Sequence, residues 1–128
     1  MTSYLLDANP ILRFLLNDIP AQATQTETLL QQAGRLEVSV TIPTIVLTEI
    51  VFTLTKTYRW PKDQVVNALL TLATSPSLDI QNRPLIIEAL NIFKNHPLGF
   101  TDSLLLAESK DTGKIIFTFD KKLSHLSP

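Results

Sequence analysis

The chain has 128 residues, of which 45% are hydrophobic and 18% charged, and a formal net charge of -1. That length suits one compact domain over 1–128, the apolar share excludes intrinsic disorder, and the near-neutral balance excludes a global basic field for nucleic acid. There is no cysteine, which removes disulfides and thiolate metal sites, leaves oxygen or imidazole to hold any metal, and suits a reducing cytoplasm. The longest apolar runs fall far short of the roughly 18 residues a membrane span needs. No basic leader or small-residue cleavage pattern precedes the apolar stretch Ile11 to Leu16, so a cytoplasmic protein with no membrane partner is expected.

In chain order, Tyr4-Leu5-Leu6 reads as a short strand that ends at Asp7. Asn9 is a suitable N-cap and Pro10 a suitable first residue for the helix that follows. Periodicity then predicts a helix over Ala21 to Ala33, a strand over Glu37 to Val40, and a helix opened by Pro43 that runs to Thr57. Pro61 opens another helix to Ala73. After it come a short strand at Leu78 to Ile80, helices over Pro84 to Asn95 and Thr101 to Thr112, and a strand over Lys114 to Phe119. Alternating strands and helices imply a three-layer α/β/α domain around a parallel sheet of four to five short strands.

Four carboxylates stand out from this frame. Asp7 and Asp120 each follow an apolar strand, and the carboxyl edge of an open α/β sheet is where ligands bind. Glu49 has Ile45, Val46 and Phe52 as helical neighbours, with Thr53 the lone polar one, so it is expected on an apolar, inward face. Glu88 lines up with Pro84, Asn91 and Asn95 and is expected to face water. Asp102 lies in the first turn of its helix beside Leu105 and Leu106, which turns it inward, while Glu108 and Asp111 fall outward. Acids gathered at close range need a cation, and an all-carboxylate set prefers a hard ion, Mg²⁺ or Mn²⁺. His96 and His125 have no ligand-like spacing and read as surface residues. Local cations that could hold a polyanion are Arg13, the stretch Lys56, Arg59 and Lys62, and the pair Lys121 and Lys122. Tyr58 and Trp60 could stack on bases, with a core position the alternative for Trp60.

The blocks L-L-D-A-N (5–9), T-E-I-V-F-T-L (48–54), G-F-T-D-S-L-L-L-A (99–107) and F-T-F-D-K-K-L (117–123) together resemble the PIN-domain pattern, and more narrowly the VapC-like toxins of toxin-antitoxin modules. The resemblance spans essentially the whole chain. It implies a ribonuclease whose Asp7, Glu49, Asp102 and Asp120 bind Mg²⁺ or Mn²⁺, with Asn9 and Thr118 at accessory positions; of the local cations, Arg13, Arg59, Lys62 and Lys121 are the candidates to hold such an RNA substrate. It further implies a homodimer and a cognate antitoxin protein. Ala8 departs from the Thr or Ser usual at that position, which removes a side-chain hydrogen bond under the site. The alternative within the family is a catalytically inactive module that keeps the fold for binding or regulation. Two rivals fit less well. A receiver domain needs paired acids after its first strand, and a haloacid-dehalogenase-type phosphatase needs an Asp where Asn9 stands.

Overall fold

The computed structural model describes residues 1–127. In order the elements are β1 (Thr2–Leu5), α1 (Ala8–Leu16), α2 (Pro20–Gly34), β2 (Val38–Ile42), α3 (Thr44–Lys56), α4 (Lys62–Ala73), β3 (Asp79–Ile80), α5 (Arg83–Asn95), α6 (Phe100–Thr112) and α7 (Lys121–Leu126). The sheet is parallel with order β1-β2-β3, so that β1 and β3 are both edges. Ser3 pairs with Ser39 and Tyr4 with Val40. The Leu6 N–H then donates to the Thr41 carbonyl at 2.9 Å, which carries the ladder one residue past β1. Each crossover between parallel strands uses helices: α1 and α2 from β1 to β2, α3 and α4 from β2 to β3.

Prolines set several helix starts. Pro43 and Pro61 occupy the N-cap positions of α3 and α4, and their extended backbone ends the preceding segment. The first helix opens earlier than Asn9: Asp7 is its N-cap, accepting from the Ala8 N–H at 2.8 Å, while Asn9 and Pro10 lie inside the helix. The core centres on β2 and helices α3 to α6, where Ile42, Leu47, Ile50, Leu54, Leu69, Ile86 and Leu90 are sealed from water. Arg83 at the start of α5 ties the α4–β3 connection to it. Its guanidinium donates to the carbonyls of Ala73 (2.6 Å), Ser75 (2.9 Å) and Leu78.

Two expectations are corrected. Among the described residues the sheet has three strands rather than four to five. Lys114 to Phe119 is not one of them: the segment has no strand pairing, and Ile115, Phe117 and Phe119 are 85%, 89% and 91% exposed. Alternation makes a segment able to be a strand, but only a partner edge makes it one. Here Ile116 alone leans on the core, while β1, whose residues are all exposed, pairs on its β2 side only. The chain recovers in α7, which sequence periodicity did not indicate because it is a six-residue helix. It is begun by Asp120, whose Oδ1 accepts from the Leu123 N–H at 3.0 Å, and anchored by buried Leu123.

Candidate nuclease site

Three of the four singled-out acids stand where a strand or loop delivers the chain to a helix start. Asp7 follows β1 and is exposed, with Oδ1 occupied by the Ala8 N–H. Asp120 is likewise exposed and occupied by its own helix, and the Thr118 hydroxyl accepts from the Asp120 N–H at 3.0 Å, so Thr118 shapes the turn before the acid. Asp102 is half-buried in the first turn of α6, with Leu106 inward beside it, Leu105 exposed, and Glu108 and Asp111 exposed as expected.

Glu49 and Glu88 reverse their expected settings. Glu49 is exposed, because α3 buries the stripe Leu47, Ile50, Val51 and Leu54 and turns Ile45, Glu49 and Phe52 outward. A helix apolar on nearly every side does not announce which side is the core. Glu88 is half-buried, although Pro84, Asn91 and Asn95 on the same side of α5 are exposed.

The donor type of the four acids suits a hard divalent ion, but their arrangement does not. Among the described residues no three His, Asp or Glu side chains stand together as a ligand set. The neighbouring ends of β2 and β3 are committed to holding the sheet edge: Thr41 Oγ1 donates to Asp79 Oδ2 at 2.8 Å, and the Thr44 N–H donates to Gln81 Oε1 at 3.0 Å.

The basic candidates divide by how they are held. Arg13 donates to Asp18 (2.7 Å) and to the Tyr58 hydroxyl (3.2 Å), which engages both Arg13 and Tyr58. Arg59 is exposed at a left-handed backbone position, and Trp60 packs against the core. Lys62 is half-buried, its Nζ 4.5 Å from the Phe93 ring centroid and donating to the His96 carbonyl at 3.1 Å. Lys121 lines a shallow groove of about 420 Å³ with Lys122, His96 and His125, so the two histidines share one surface groove despite their sequence separation. Asn9 lines a larger cleft of about 560 Å³ with Tyr4, Leu6 and polar residues of α2. A third cleft, of about 410 Å³, runs between α3 and the start of α6. Phe52, Lys56, Lys62 and Asp102 are on its wall, and the sequence gives no signal for Phe52, because an aromatic on an apolar helix face reads as core.

No described helix is long and apolar enough to cross a membrane. In comparisons with known proteins, no solved structure matches. A VapC ribonuclease of Aquifex aeolicus (strain VF5) is 23% identical over 123 residues, covering 95% of this chain and 90% of that protein. The family model described as PIN domain matches residues 4–127, which takes in all four acids and the elements that carry them, and the chain belongs to the PIN-domain family.

Proposed function

We propose that the chain is an endoribonuclease of the VapC type, the toxin of a toxin-antitoxin module, which hydrolyses RNA phosphodiester bonds and requires Mg²⁺ or Mn²⁺. The observation that carries this reading is the order and placement of the four acids within a PIN domain: Asp7 after β1, Glu49 on α3, Asp102 in the first turn of α6 and Asp120 at the start of α7. The similarity to a VapC ribonuclease along nearly the full length of both chains supports the RNA substrate. Asp7 and Asp102 are assigned as primary metal ligands, with Glu49 and Asp120 completing the set. Hydrolysis takes water as the nucleophile at phosphorus. Because no three of these acids form a ligand set as placed, the metal requirement rests on donor chemistry. A homodimer, a cytoplasmic location and an antitoxin partner complete the proposal.

The test is incubation of labelled RNA with the purified protein in Mg²⁺, in Mn²⁺ and in EDTA. Cleavage is expected only with the ions, and Asp7→Asn is expected to abolish it while leaving the fold intact. Cleavage that co-purifies with the protein and persists fully in EDTA would overturn the metal-dependent reading.

A further inference from the structure

We infer that the cleft between α3 and the start of α6 is a nucleotide subsite for single-stranded RNA, with Phe52 stacking on a base and Lys56 and Lys62 neutralising adjacent phosphates. The inference rests on the ribonuclease reading and adds to it the place where the strand lies. Phe52 is 64% exposed on the cleft wall. That leaves most of a large apolar ring in water, a cost in free energy that the folded chain only partly recovers. Lys56 stands one turn further along the same face of α3, within reach of a phosphate attached to a base resting on Phe52. Lys62 comes from α4 and is positioned rather than free. Its hydrogen bond to the His96 carbonyl and its place over the Phe93 ring hold the ammonium at the cleft, with two N–H donors to spare. Asp102 lines the same cleft, so a strand laid there runs directly to an acid proposed for the catalytic site.

The charges choose the occupant. An apolar protein segment in this cleft would bring no counter-charge to the two ammonium groups, whereas a polyanion neutralises them and releases its own counterions. An exposed aromatic in one cleft with two cations is the combination by which single strands are held without regard to sequence.

The experiment measures binding of a fluorescent, mixed-sequence single-stranded RNA by anisotropy in EDTA, with cleavage followed separately. Phe52→Ala is expected to weaken binding roughly ten-fold with an unchanged melting temperature, and Phe52→Trp to restore it. Lys56→Gln is expected to lower the slope of log K against log salt by about 0.7, the share of one phosphate on a single strand. A single abasic residue at the occupied position should weaken binding to the wild type and have no further effect on Phe52→Ala, a readout that does not depend on the variant's stability. If wild-type protein binds RNA and Phe52→Ala binds equally well with the same salt slope and abasic response, the subsite is overturned while the ribonuclease reading stands. If Phe52 governs binding but no cleavage occurs under any metal condition, the subsite stands and the ribonuclease reading falls. If Phe52→Ala spares RNA but abolishes association with the co-expressed antitoxin, the cleft is a protein-docking groove and the inference is overturned.

Discussion

The two sides of this molecule are built to different standards. From β2 through α3, α4 and α5, side chains such as Ile42, Leu54, Leu69 and Leu90 are fully enclosed, and Arg83 fastens a connecting loop by three carbonyls. Around β1 and residues 113–119, Leu5 is 74% exposed and the aromatic pair Phe117 and Phe119 makes an edge-to-face contact of 5.5 Å with neither ring buried. Both regions are rich in apolar residues. What separates them is the number of neighbouring elements available to cover an apolar face, so stability concentrates on one side and exposed apolar surface on the other.

Substitutions can break or sharpen that contrast. The largest expected effect is at Leu54, where truncation to Ala opens a cavity in the enclosed side and should cost about 3 kcal/mol in urea-induced unfolding. Arg83→Met keeps bulk but strands the Ala73, Ser75 and Leu78 carbonyls. A loss of about 2 kcal/mol is expected, and a neutral result would show that water satisfies the loop as well as the guanidinium does. Asp120→Ala removes the side-chain cap of α7 and should cost about 1 kcal/mol, read most directly as faster amide exchange at Leu123. Phe117→Ser should change stability by under about 0.5 kcal/mol and reduce self-association in light scattering, because the ring is 89% exposed and its one aromatic contact, with Phe119, is itself in water. A loss of several kcal/mol at Phe117 would mean that the segment is enclosed in solution, by the free edge of β1 or by a second copy, and would erase the contrast at its source.

Glu49 and Glu88 show how far a helical pattern reaches. On α5, Pro84, Asn91 and Asn95 mark a polar stripe, yet Glu88 sits at its margin, where burial is decided by how α4 and α6 close on either side. On α3 the interior could have been either of two apolar faces, and packing against α1, α4 and α6 chose Leu47, Ile50, Val51 and Leu54. That choice put Phe52 in the cleft with Lys56 and Lys62, a constellation drawn from two helices.

The local chemistry of the chain was sufficient for helices α1 to α6, the parallel strands β1 to β3 and the family pattern. Proline at helix starts, glycine at the end of α6, and 3.6-residue spacing act over a few bonds and need no distant partner. The fate of Lys114 to Phe119, the outward setting of Glu49 and the shared groove of His96 and His125 were decided by tertiary structure alone. Each depends on which surface is close enough to exclude water or offer a hydrogen-bonding edge, and residues far apart in the chain supply that surface.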